Sequence, residues 1–127
     1  MLISRMTQAG DSHGWHWDDY TYSMVWVVDA PADPADGGGL EFVPNTTWDK
    51  DQPRIDWHLS NNEILSGPVA PGMAYLLRAD TALHRVAPLR REGLVRTVLV
   101  YTYGSLDDLT REVTHETMED VYPEEYT

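Results

Sequence analysis

Residues 13–20 read HGWHWDDY, placing two histidines, two tryptophans and two aspartates in eight positions. Imidazoles and carboxylates are metal ligands, and their spacing decides whether they can share one ion. In an extended segment side chains alternate, so His16 and Asp18 point one way and Trp17 the other, with the two Cα atoms roughly 6–7 Å apart. That lets an imidazole and a carboxylate converge. A third ligand has to come from elsewhere, and His84, in TALHRVAPL, stands among small and apolar residues. Two histidines and one carboxylate on one face of an octahedral ion leave three positions open. That suits non-haem Fe(II) enzymes, which bind a cosubstrate and then O₂. The alternative for the His-x-Asp pair alone is a surface histidine paired with an acid.

A charged residue twelve positions after His84 bears on the choice. In LVRTVLVYTY (94–103), Arg96 alternates with Leu94, Val98 and Val100, while Val95, Leu99 and Tyr101 form the other face. A guanidinium in a strand that is apolar on both faces is expected to be buried, and a buried cation needs a carboxylate. That carboxylate belongs either to the protein or to a bound small acid gripped bidentately.

These residues need a scaffold. Eight prolines and nine glycines punctuate short runs rich in Val, Leu, Trp and Tyr, a β-rich pattern. The clearest strands are 22–28, 39–44, 73–78 and 94–103, with weaker ones at 14–18, 63–67 and 83–88. The connectors DAPADPADGGG (29–39), NTTWDKDQP (45–53) and APG (70–72) carry turn chemistry. TWDKDQPRIDW (47–57) has the length of a lid. Only the acidic tail, 105–127, suggests a helix, capped by Ser105 and stopped at Pro123. Short strands without long intervening helices imply an all-β sandwich, jelly roll or barrel in one domain of 127 residues. The aromatic face Tyr20, Tyr22, Met24, Trp26 and Val28 reads as core. His58 and His115 read as surface histidines, Glu41 as solvent-facing, and Arg78 and Arg85 as surface or ion-pairing.

Net charge is −12 with one lysine, Lys50, so nucleic acid and anionic membranes are excluded as natural partners. The absence of cysteine removes disulfides, thiolate metal sites and a cysteine nucleophile. Met1-Leu2-Ile3-Ser4 leads into no apolar run, and no stretch approaches the roughly 20 apolar residues of a membrane helix. The expectation is a soluble, cytoplasmic chain.

In order along the chain, HWD (16–18), VVDAPADPADGGGLEFVPN (27–45), APGMAYLL (70–77), LHRVAPL (83–89) and Arg96 resemble the catalytic core of the Fe(II)/2-oxoglutarate-dependent oxygenases. The resemblance runs from about Gly14 to Tyr103. It implies a double-stranded β-helix, that is, a cupin-like jelly roll. It also implies iron on His16, Asp18 and His84, 2-oxoglutarate as cosubstrate with its far carboxylate on Arg96, and O₂ as oxidant. HGWHWDDY, LHR and YTYGS are more narrowly similar to the free-amino-acid radical halogenases and hydroxylases. In the halogenases of that group a glycine replaces the aspartate and chloride takes the vacant position. The presence of Asp18 therefore implies hydroxylation of an unactivated C–H bond of a small molecule, such as a free amino acid. The residues matching His13, Asp19 and Thr102 contact substrate in that group. Val100 departs from it, standing where a polar contact is usual. Only fifteen residues precede His16, so the group's N-terminal helical region is not expected here, and a homodimer or a complementing partner is. Two other readings stay open: a cupin-type metal enzyme that does not use 2-oxoglutarate, and a non-catalytic jelly-roll binding module or fragment.

Overall fold

The computed structural model describes residues 1–67 and 69–104. Among the described residues, eight strands form two antiparallel four-stranded sheets. They are β1 (Leu2–Met6), β2 (His13–His16), β3 (Tyr22–Asp29), β4 (Leu40–Val43), β5 (Leu65–Gly67), β6 (Ala74–Arg78), β7 (Leu83–Val86) and β8 (Arg96–Tyr103). One sheet runs β1-β8-β3-β6 and the other β2-β7-β4-β5. Apart from the β4–β5 pair, consecutive strands thus pass from sheet to sheet, which is the winding of a jelly roll, as expected. One short helix, α1 (Ile55–Asn61), and a 3₁₀ turn at Pro34–Asp36 lie in the connectors.

The interior is assembled from alternate residues of the long strands. Val25, Val27, Val98 and Val100 are buried together, with β3 and β8 in register at Val25–Val100 and Val27–Val98. Burying each such side chain stabilises by about 1.5–3 kcal/mol. Arg96 continues this inward series at 3% exposure, as its strand position requires.

The other face of β3 departs from expectation. Trp26 and Val28 are 47% and 49% exposed and Tyr22 and Met24 are only half-buried, so this aromatic face is the outside of the sheet and not core. A strand apolar on both faces gives no parity signal for which face turns inward; that is set by what packs against it. Ile3 and Leu76 extend the exposed apolar surface onto β1 and β6.

Two further elements were not legible. β1 pairs with β8 from Leu2–Val100 to Met6–Arg96, and it turns Ser4 and Met6 inward. Five residues with mixed polarity give little period-2 signal. α1 contributes only Ile55 and Leu59 to the cluster of Trp17, Val43 and Leu83, and a single i, i+4 pair is too short for a helical period to stand out. The helix therefore occupies part of what reads as a lid. His58, on α1, sets its ring edge-on to Trp17 at 5.5 Å and is only partly exposed, so it is a packing residue as much as a surface one. Arg85 pairs with Glu41 at 3.0 Å and Arg78 with Asp80 at 3.5 Å, as ion-pairing residues should. The helix expected after Ser105 lies outside the described residues, as does His115.

The GGG run has a steric origin. Gly37 has φ 90°, and a Cβ there would lie 1.8 Å from the Pro88 carbonyl oxygen. Gly38, at φ 79°, follows it and presents its carbonyl to Arg96. No helix of the described residues is long and apolar enough to cross a membrane.

Candidate metal centre

His16 and His84 are register partners across β2 and β7. Directly opposed residues project to the same side, and the two imidazole centroids are 4.3 Å apart. After His16 the chain leaves the ladder, so the strand expected over 14–18 ends two residues early. The backbone N–H of Asp18 then donates to the Ala79 carbonyl at 3.0 Å, which fixes the carboxylate. Asp18 Oδ1 lies 3.3 Å from His16 Nε2 and 3.4 Å from His84 Nε2. One ligand atom from each residue lies within 4.8 Å of the others.

Each imidazole is oriented through its other nitrogen. His16 Nδ1 contacts the Gly14 carbonyl, and His84 Nδ1 the Ala82 carbonyl at 2.7 Å. With those Nδ1–H groups donating to carbonyl oxygens, both Nε2 atoms are turned toward the Asp18 carboxylate, the orientation of histidine metal ligands held by an outer partner. Trp17 points the opposite way and is 1% exposed. Its Nε1–H donates to Thr46 Oγ1 at 2.9 Å, and the same hydroxyl accepts from the Leu83 backbone N–H at 3.1 Å. Thr46 thus ties together the residue between His16 and Asp18 and the residue before His84.

The electrostatics favour a cation. Burial alone would push the Asp18 carboxyl up, but the His16 and His84 imidazoles more than offset it and hold the group well below the usual range. Burial pulls His84 down, yet the adjacent Asp18 raises it on balance. His13 is pulled down to about 4, first by burial and then by the positive fields of Arg96, His16 and His84.

His13, His16, Asp18, His84 and Arg96 line one cavity between the two sheets, with Ser23 and Tyr75. Arg96 Nε donates to the Gly38 carbonyl at 3.0 Å. Its guanidinium also hydrogen-bonds the Tyr75 side chain, whose hydroxyl pKa is raised by burial against that cation's opposing pull. The structure thus brings His16, Asp18, His84, Arg96 and His13 together. Asp19 turns instead into a neighbouring cavity and pairs with Lys50 at 3.0 Å. Thr102, half-buried on β8 opposite Ser23, lies outside the lining of the central cavity. Ser23 and Tyr75 were not singled out in the sequence. Their inward parity on β3 and β6 becomes a signal only once the inner face is known.

Two imidazoles and a carboxylate converge inside a jelly roll, a donor set of the kind that non-haem iron oxygenases use. The donor set fits iron: His16, Asp18 and His84 would supply two imidazole nitrogens and a carboxylate oxygen to hold it. The sequence model of halogenase D matches residues 1–123, and the chain belongs to that family. No curated protein matches it. Among solved structures it is similar to a prolyl-4-hydroxylase from Pseudomonas putida, with 18% identity and a TM-score of 0.50 over 80% of this chain and 50% of that one. It is also similar to a prolyl 4-hydroxylase from Phytophthora capsici, with 15% identity and a TM-score of 0.51 over 95% of this chain and 39% of that one. At these identities the likeness is one of fold, and the chain spans half or less of the length of either structure.

Proposed function

We propose that this chain is an Fe(II)/2-oxoglutarate-dependent oxygenase that hydroxylates an unactivated C–H bond of a small molecule, a free amino acid or a related metabolite. The observation that carries the reading is the convergence of His16, Asp18 and His84 in the same cavity as the buried guanidinium of Arg96. His16 Nε2, His84 Nε2 and Asp18 Oδ1 would hold the iron. Iron and cosubstrate, when bound, supply the oxidising equivalents for breaking the C–H bond with O₂. Arg96, with Tyr75 beside it, would take the far carboxylate of 2-oxoglutarate, a pairing that a planar guanidinium suits. Val25, Leu40, Leu77, Val98 and Val100 surround the site and exclude water. His13 from within the cavity, Asp19 from the neighbouring one and Thr102 from the end of β8 are the candidate substrate contacts.

Asp18 favours hydroxylation over chlorination in this reading. Its Oδ1 lies against both imidazoles, so an ion held there has a carboxylate where a glycine would leave room for chloride. The test is anaerobic titration with Fe(II) and 2-oxoglutarate. The expected result is the weak visible charge-transfer band of the chelate, lost in His84→Ala. Aerobic turnover in chloride buffer should give hydroxylated and not chlorinated product. A wild-type chain that binds Fe(II) without developing the band on adding 2-oxoglutarate refutes the proposal in favour of a cupin-type enzyme. A chain that binds no divalent metal refutes both.

A further inference from the structure

Asp18 borders a second cavity of about 250 Å³, lined also by Asp19, Thr47, Trp48, Lys50, Asp80 and Thr81. Its walls are three carboxylates and an indole, surfaces that attract an organic cation. The Asp19 side chain is 3% exposed and its position is fixed next to the anchored Asp18. Its counter-ion is of a different kind. The Lys50 side chain is 43% exposed, and its Nζ lies 3.0 Å from Asp19 Oδ1 and 4.6 Å from the Trp48 ring centroid. Lys50 is the single lysine of the sequence, on a connector whose buried anchor, Thr46, lies four residues earlier. Asp80 adds an oxygen that is buried and makes no hydrogen bond, with Arg78 Nε no nearer than 3.5 Å.

We infer that Lys50 is a displaceable internal ligand of this cavity. Its ammonium holds the buried Asp19 carboxylate and the Trp48 face until the primary ammonium group of an incoming substrate replaces it. Exchange of one ammonium for another on the same carboxylate keeps the buried charge neutralised throughout, which removal without replacement would not. Because the leaving cation is tethered and partly solvated, it sets the threshold an incoming amine must pass: a neutral or anionic ligand cannot substitute for it. Lys50 is thus a specificity-determining residue. The inference rests on the oxygenase reading in one respect: it is the shared Asp18 that makes this a substrate cavity.

The single lysine makes the test direct. Reductive methylation with ¹³C-formaldehyde labels Lys50 and the α-amine of the full chain, giving one lysine methyl resonance. It is titrated with n-butylammonium chloride and, separately, with sodium chloride at equal ionic strength. Displacement predicts that n-butylammonium moves the resonance saturably toward its position in the Asp19→Asn chain, while sodium chloride does not. On unlabelled chains, with tryptophan fluorescence as readout, Lys50→Met should bind n-butylammonium about fivefold more tightly than wild type, since the internal competitor is gone. A resonance that stays fixed, or that responds equally to both salts, overturns the inference. So does an unchanged affinity in Lys50→Met. The Fe(II)/2-oxoglutarate band, measured on the same wild-type preparation, separates the two proposals. A displaced Lys50 without the band removes the oxygenase reading and keeps the displacement; a normal band with an immobile Lys50 does the reverse.

Discussion

Replacing Thr46 by valine removes one hydroxyl and keeps the shape, and that hydroxyl is a junction. Thr46 is 4% exposed, and its Oγ1 accepts from Trp17 Nε1 and from the Leu83 backbone N–H while donating to the Val43 carbonyl at 3.2 Å. In Thr46→Val two donors lose their acceptor among Trp17, Val43 and Leu83, which are 1% exposed or less. At about 1–3 kcal/mol for each stranded buried donor, the loss should be about 3 kcal/mol. For a domain of this size that lowers Tm by about 10 °C. The same change loosens the residue between His16 and Asp18 and the residue before His84. Outer groups that orient metal ligands are worth about 10–100-fold in affinity, so Fe(II) binding should weaken by at least about tenfold. Differential scanning calorimetry and anaerobic calorimetric titration read the two effects, with Thr46→Ser, which keeps the hydroxyl, as the control. A Thr46→Val chain melting within about 2 °C of wild type would refute the junction argument. A normal loss of Tm with unaltered Fe(II) affinity would refute its link to the metal centre.

Arg96→Leu should weaken 2-oxoglutarate binding by about 100-fold or more, the consequence of losing a charge-assisted bidentate contact, while changing Fe(II) affinity little; the charge-transfer titration reads both. Gly37→Ala combines a positive φ with a Cβ 1.8 Å from the Pro88 carbonyl, so it should cost more than about 3 kcal/mol or leave the chain unfolded by circular dichroism, whereas a cost under about 1 kcal/mol would contradict the packing of the GGG turn. His13 is held at about 4 in the folded metal-free chain against about 6.5 when unfolded. The unfolded state therefore binds the extra proton first, and stability present above pH 6.5 is lost as pH falls toward 4. Discounted for partial exposure, wild type should lose about 2 kcal/mol more than His13→Gln between pH 7 and pH 4 in urea titrations, and parallel pH profiles would count against a buried neutral His13.

How far the sequence carried the fold follows from which signals are local. Alternation and turn residues placed β3, β4, β6, β7 and β8 close to their ends, because each strand repeats its own pattern and most of the connectors between them carry a Gly or Pro. β1 and α1 escaped because five mixed residues and a seven-residue helix with one apolar pair carry almost no period. Residue type and two-residue spacing likewise marked His16 and Asp18. Parity within an apolar strand marked Arg96.

Pairing is what the sequence could not encode locally. That His84 stands across from His16, that Thr46 locks both sides of the metal centre, and that Asp19 leaves the central cavity to meet Lys50 are all set by strand register and by loops converging from distant positions. The inward face of β3 is the sharpest case. Tyr22, Met24 and Trp26 are as apolar as core residues, and only the tertiary arrangement, which buries Val25 and Val27 and leaves Trp26 exposed, decided which side would be dry. Chemistry of side chains is written residue by residue, whereas burial and coordination depend on which surfaces meet, and that is a property of the whole folded chain.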